Sequence, residues 1–419
     1  MMQSALASSK LDPPLRKNLT AIFLTGLFFW SSMASQLPTL PLYLNTLTQS
    51  LDEVGLIMGS FAIGLLACRS YLGKLTDRRG RTYTMRIGLA VAMIVPLCYA
   101  LFPSIPLLIF FRAIHGISIA AFASSYSALI ADLAPIANRG KIIGYMSLVN
   151  PLGLAIGPAL GGAMYQFWGY QALFVVASLF ALSGLLLTSQ IKIVEVVTKT
   201  GELVNQAPAK FWQTFLNPRI RVICTVLLIV GIAFGTISAF MPILMQQKQI
   251  TMNAGVFYMS AALSGFMIRL PLARLSDSWG RGIFISVGIM CYGSSLLIIY
   301  LASQDYHFVI SGIMEGIGAG IVIPTVVALL ADRTVPLERG YVFGLTWIGF
   351  DVGIAMAGPI MGKLTGLVGV NNIFAITTGL CLVGLWIFAT QSNKTVTNSL
   401  KFAIGSSKDD DYAIKPVVT

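Results

Sequence analysis

The stretch "GKLTDRRGR" (residues 73–81) packs five charges into nine residues, in a chain of which only 11% is charged. Two hundred positions later, "ARLSDSWGR" (residues 273–281) repeats its Leu, Asp, Gly and Arg. Working outward from the pair, residues 54–81 match 254–281 at nine of 28 positions, Gly55/Gly255 and Arg69/Arg269 among them. At the same offset "ALIAD" (128–132) falls on "ALLAD" (328–332), and Arg139-Gly140 on Arg339-Gly340. One residue further on, at an offset of 201, Gly157-Pro158 falls on Gly358-Pro359. Apolar segments resemble one another by composition alone. That does not place Arg, Asp and Arg-Gly in the same loops at one offset. The chain is a repeat of two halves.

The material between those loops is hydrocarbon-like. Of 419 residues 56% are hydrophobic, and the mean hydropathy is +0.80. Soluble domains carry about 25% charged residues. Apolar windows of roughly 20 residues, enough to cross about 30 Å of hydrocarbon as a helix, recur throughout. We read twelve spans, at about 19–44, 52–72, 83–102, 105–128, 140–164, 170–189, 220–246, 253–273, 283–303, 307–330, 340–364 and 370–391. The runs are continuous rather than alternating, which selects helices over barrel strands. The expected fold is an all-α polytopic membrane protein. Six spans separate equivalent positions, and an even number preserves orientation, so the halves are parallel repeats. The expected organisation is a six-helix bundle over 1–189, a linker over 190–218, a second bundle over 219–391, and a disordered tail over 392–419.

A net charge of +12 invites nucleic acid as a partner, but its distribution argues otherwise. The first loop (45–51) has no Lys or Arg, while the second carries Lys74, Arg78, Arg79 and Arg81; the linker and both tails are basic. By the positive-inside rule the termini and linker are cytoplasmic, in a plasma (inner) membrane protein. The basic excess encodes topology, and the bilayer is the partner. Five cysteines lie singly in separate spans, without metal-ligand or redox spacing. Only His115 and His307 are present, far apart, so neither a metal site, a cofactor nor an enzyme centre is expected.

At these residues the chain resembles the major facilitator superfamily, and within it the twelve-span proton-coupled exporters of drugs and metabolites. Gly73, Asp77, Arg78, Gly80 and Arg81 are similar to the family's signature loop after span two, although Thr82 stands where a basic residue is usual. Asp277, Gly280 and Arg281 repeat it. Arg112, Gly116, Ala120 and Ala121 resemble the span-four motif, with His115 where Gln is common. Gly153, Gly157, Pro158, Gly161 and Gly162 match in full the span-five pattern G-x-x-x-G-P-x-x-G-G associated with exporters. The resemblance implies a small-molecule substrate, protons as coupling ion, alternating access, and a latch at Asp77 that holds the outward-open state. It also implies a cavity lined by spans one, four, seven and ten, with Trp30, Gln36, Tyr126, Phe234 and Trp347 as candidates.

Intramembrane charge is costly and usually faces a bundle interior or a wet cavity. Arg112 and His115 lie three apart, on one helical face. Glu315 is the 200-offset partner of His115, and Asp351 the 201-offset partner of Asn150. Both acids are proton-coupling candidates; the structural alternative pairs Arg112 with one of them. Two further readings are uptake of a sugar or organic anion, and a non-transporting sensor on a transporter scaffold. The short linker speaks against a sugar carrier, and the brevity of linker and tail against a signalling domain.

Overall fold

The computed structural model describes residues 13–135, 139–191, 217–335, 339–407, 409 and 411–413, leaving aside the side chains of 139–141, 273, 274, 277 and 339–341. Most of the linker (192–216) and the side chain of Asp277 therefore lie outside the described residues, as do those of the two Arg-Gly pairs.

The described chain is helical: α1 (Pro13–Ser35), α2 (Leu40–Thr48), α3 (Leu51–Arg79), α4 (Arg81–Leu101), α5 (Ile105–Leu133), α6 (Arg139–Ser147) and α7 (Val149–Leu187) come first. After the linker follow α8 (Pro218–Gln247), α9 (Ala254–Trp279), α10 (Arg281–Leu301), α11 (Asp305–Arg333), α12 (Arg339–Val368), α13 (Val370–Gln391) and α14 (Val396–Ala403). Among the described residues ten helices are long and apolar enough to cross a membrane. Two features account for the difference from twelve spans. Span one is broken into α1 and α2 at residues 36–39, where Pro38 lacks a backbone donor and disfavours helix at Leu37, while Pro41 sits in the first turn of α2, where a missing donor is tolerated. Spans five and six are two helices that meet at Gly169, whose φ of 79° and ψ of −171° break the helix within the stretch Val149–Leu187, and the chain turns back there, with Gly161 beside Ser35 and Gly184 beside Thr25 of α1.

The repeat is visible in the backbone. Positive φ angles occur at Gln49 (54°) and Gln249 (55°), at Gly80 (97°) and Gly280 (90°), and at Gly169 (79°) and Gly369 (83°). Each pair is 200 apart. Left-handed backbone is costly for residues with a Cβ, so its recurrence reports shared loop geometry.

Two compact units emerge. The first holds residues up to Tyr43, Ser60–Thr200 and Asn253–Gly255. In it α1 packs against α7, α4 against α5 and α7, and α3 against α5, where the Gly116 backbone abuts that of Phe61. The second holds Leu44–Gly59, Gly201–Met252 and Val256–Thr419. In it α8 packs against α12 and α13, and α10 against α11 and α13. The boundaries differ from bundles at 1–189 and 219–391 because the first turns of α3 and α9 each pack with the opposite half's unit. Gly55 meets the Gly358 backbone inside the second unit, and Gly255 meets the Pro158 backbone inside the first.

Those contacts correct the register of the repeat. Gly55/Gly255 and Gly358/Pro158 are both 200 apart, so the offset does not step to 201 at spans five and eleven. The Gly-Pro pairs are one residue out of phase in space. Small residues fix where two backbones meet, whereas a proline can shift one position along the helix without moving that contact. The structural partner of Asp351 is therefore Pro151, not Asn150.

The tail also departs from expectation. Residues 392–407 are ordered onto the second unit, with α14 capped by the Thr395 side chain, which accepts from the Asn398 amide. Asp409 forms a buried ion pair with Arg333, Nε to Oδ2 at 2.6 Å. A polar composition suggested disorder; one buried counter-charge reversed it.

Candidate functional site

The charged loop is built by three helix ends. Asp77 lies in the last turn of α3 and Arg81 opens α4, with Gly80 between them in a conformation that a Cβ would strain. Arg81 Nη1 donates to Asp77 Oδ1 at 2.5 Å and to the Thr76 carbonyl at 3.0 Å. Its Nε donates to Asp132 Oδ2 at 3.2 Å, at the end of α5. In the other half Arg281 Nε donates to Asp332 Oδ2 at 3.2 Å, at the end of α11. Arg281 Nη1 reaches Ser276 Oγ at 2.8 Å. Asp77 and Asp132 side chains are 62% and 58% exposed, so each pair contributes no more than about 1 kcal/mol. Their value is geometric: one guanidinium ties three helix ends. Asp132 and Asp332 were missed as site residues, although their "ALIAD" and "ALLAD" frames carried the signal. Arg78 is exposed, and Gly73 has open space where a Cβ would stand.

Inside the first unit, Arg112 and His115 are buried on α5. The Arg112 guanidinium stacks over the Phe61 ring, 4.5 Å from its centroid. His115 Nδ1 hydrogen-bonds the Tyr99 hydroxyl at 2.9 Å, and the Tyr43 hydroxyl donates to the Tyr99 carbonyl at 2.7 Å. Arg112 Nε and His115 Nε2 find no hydrogen-bond partner among the described residues.

Inside the second unit, Glu315 on α11 is 8% exposed. Its carboxyl lies beside the Tyr292 side chain on α10 and near Tyr258 on α9. Arg269, on α9, lies near Tyr292, with its Nε buried and without a hydrogen-bond partner. The two repeat-related positions, His115 and Glu315, thus each meet a tyrosine from the preceding helix. Asp351 is 5% exposed on α12, two residues before Gly353, whose backbone abuts that of Leu228 on α8.

The span-five motif forms a seam with α1. Gly153 faces Trp30 and Ser31, Gly157 faces Ser31 and Ala34, and Gly161 faces the Ser35 carbonyl. Gly162 faces the Asn253 side chain, and Pro158 sits inside the helix. The aromatic candidates are packed: Tyr126 stacks on Phe122 at 5.4 Å, which stacks on Phe29 at 3.8 Å. Trp30 meets Phe29 edge-on, and Trp347 and Phe234 both meet Phe350. Gln36 is 2% exposed, with Oε1 lacking a hydrogen-bond partner. A cavity of about 390 Å³ opens beside α1, lined by Arg16, Lys17, Thr20 and Gln190 and by none of these groups. No cluster that could hold a metal ion occurs among the described residues.

Comparison with known proteins now decides the family. The family description "Major Facilitator Superfamily" matches residues 22–303 and 268–410. The chain belongs to the major facilitator superfamily. Among its relatives, the staphylopine export protein of Staphylococcus aureus (strain Mu50 / ATCC 700699) is 23% identical over 370 residues, covering 86% of this chain and 93% of that protein. Multidrug resistance protein 1 of Bacillus subtilis (strain 168) is 23% identical over 375 residues, covering 88% and 95%. In fold, a mutant of the nucleoside transporter NupG superposes with a TM-score of 0.76 at 13% identity, covering 89% of this chain and 99% of that one. This superfamily member is an integral membrane transporter.

Proposed function

We propose that this superfamily member is a proton-coupled exporter of small amphiphilic molecules, working by alternating access between two six-helix halves. The observation that carries the coupling is Glu315: a buried carboxyl inside a spanning helix, beside the Tyr292 side chain. Such a group takes or releases a proton when its access to water changes. His115 and Arg112 occupy the related place in the other half, and Asp351 is the second candidate acid. Direction of transport is supported by the span-five glycine seam and by two relatives named for export and drug resistance. The protein has no enzymatic role in this reading. Proteoliposomes with an internal pH indicator test it: adding amphiphilic cations should move protons opposite to substrate. A panel of sugars and organic anions moving instead, with no counterflow of protons, would replace export with uptake. A sensor would move neither.

The termini are placed in the cytoplasm, on the Lys/Arg asymmetry between alternate loops. Thr82 is buried, so Tyr83, 42% exposed, is the better probe of the second loop. Single cysteines at Ser50 should react with an impermeant reagent in whole cells, and those at Tyr83 or Ser406 only after lysis. Whole-cell reaction at Tyr83 would overturn the orientation.

Asp77 is proposed as a latch residue acting through Arg81. Asp77→Asn weakens one of the three ties on that guanidinium and should shift the resting ensemble toward the inward-open state. Spin-label distances across the cytoplasmic loops report it; an unchanged distribution would leave the loop a topology signal.

A further inference from the structure

The last helix presents two faces with opposite characters. Ser399, Phe402 and Ala403 are buried against the second unit. The Phe402 carbonyl abuts Gly282, and Ser286 Oγ donates to the Ala403 carbonyl at 2.9 Å. The outward face carries Val396, Leu400 and Ile404, which are 57%, 45% and 62% exposed. Their spacing of four puts them in one stripe. Lys394, just before it, and Lys401, between Leu400 and Ile404, are exposed.

A stripe of three large apolar residues is not left in water by a solvated tail. What adjoins it says what covers it. α14 packs against α13 and against the Gly282–Ser286 end of α10; next to those contacts α10 exposes Val287 and Met290, and α13 exposes Leu382, Val383 and Trp386. Trp386 lies one turn and a half from the end of α13 and is 63% exposed. Trp279, also 63% exposed, immediately precedes Gly280, beside which the Ser407 carbonyl lies. Exposed tryptophans at the ends of spanning helices mark the headgroup level of a bilayer. A Cβ at Gly405 would lie 3.2 Å from Ile283, so the stripe ends against the first turn of α10. Exposed apolar residues of α10 and α13 flank it.

We propose that α14 is an interfacial helix, with Val396, Leu400 and Ile404 seated at the acyl–headgroup boundary of the leaflet that faces the tail. Lys394 and Lys401 extend their stems along that surface and place their ammonium groups among lipid phosphates. A free amphipathic peptide of eight residues would bind a membrane weakly. Here the helix is held in place from within. Arg333 Nε and Nη2 donate to the two Asp409 oxygens at 2.6 and 2.9 Å, Nη2 also to the Ser392 carbonyl and Nη1 to the Arg219 carbonyl, each at 2.9 Å. One buried guanidinium therefore fastens the tail to the inner ends of α8, α11 and α13. The helix docks as part of the protein, so its ordering cost is already met.

The test uses the full-length transporter in nanodiscs of phosphatidylcholine and phosphatidylglycerol, with native cysteines replaced and a polarity-sensitive fluorophore on a single cysteine. At Leu400→Cys, brominated acyl chains should quench severalfold more than aqueous iodide. At Ser406→Cys, exposed but off the stripe, the order should reverse. A second measurement avoids the label: Val396, Leu400 and Ile404 changed together to Ser should raise hydrogen exchange of residues 396–404 in nanodiscs severalfold, with α8 and α11 unchanged. Iodide quenching at Leu400 equal to that at Ser406 would overturn the proposal. So would efficient crosslinking of Leu400→Cys between the two copies in discs that hold two transporters, because a protein would then cover the stripe.

Discussion

Glu315→Gln is expected to abolish proton-driven accumulation of substrate while leaving binding and passive exchange in place. Glutamine keeps the shape of the side chain beside Tyr292, so the packing of α10 on α11 has no reason to change. It cannot titrate. A potential of about 100 mV acting on one net charge supplies roughly 2.3 kcal/mol, close to a fifty-fold gradient, before any pH difference is added. That is the scale of the loss. Reconstituted variant and parent should show equal substrate affinity and equal exchange at zero gradient. Only the parent should concentrate substrate when a pH step is imposed. A variant that still accumulates substrate with the parent's pH dependence would remove Glu315 as the coupling group and leave Asp351 and His115 to be tested in turn.

Gly157→Leu is expected to lower turnover at least tenfold, with a smaller fall in the yield of folded protein. A Cβ at Gly157 would lie 2.5 Å from the Ser31 carbonyl oxygen and 2.9 Å from the Ala34 Cβ. A leucine there forces α7 away from α1 or strains both; overpacking costs typically 1–3 kcal/mol. Gly153 and Gly161 keep the seam closed on either side, so the damage should be displaced geometry rather than unfolding. Pro158, next to the contact, already lacks one backbone donor, so local movement concentrates there. Transport per monodisperse transporter, with thermal stability in detergent, separates the two effects. Equal loss of folded protein and activity would leave the seam a packing feature alone.

Much of this architecture is legible in the sequence. Hydropathy runs counted the spans, because a bilayer demands about 20 apolar residues per helix whatever their order. Charged loops set the proposed orientation for the same one-dimensional reason. The repeat was legible because loop residues such as Asp77 and Asp277, or Arg81 and Arg281, are too rare in such a chain to recur by composition.

What escaped the sequence depends on direction and meeting place. Hydropathy does not say which way a side chain points, so Glu315 could be placed at a depth but not beside Tyr292. Asp132 carries the same letter as any acid at a span end. Only the folding of α5 back to the start of α4 gives it to Arg81, 51 positions away. The offset of 201 aligned two prolines, while backbone contact at glycines held the true offset at 200. The tail read as polar and was expected to be loose, until one buried arginine found Asp409. Sequence alone determined a two-fold, twelve-span membrane protein, because apolar length and loop charge act locally. Tertiary structure decided the partners of its charges, because a buried charge is satisfied by whatever the neighbouring helices bring to it.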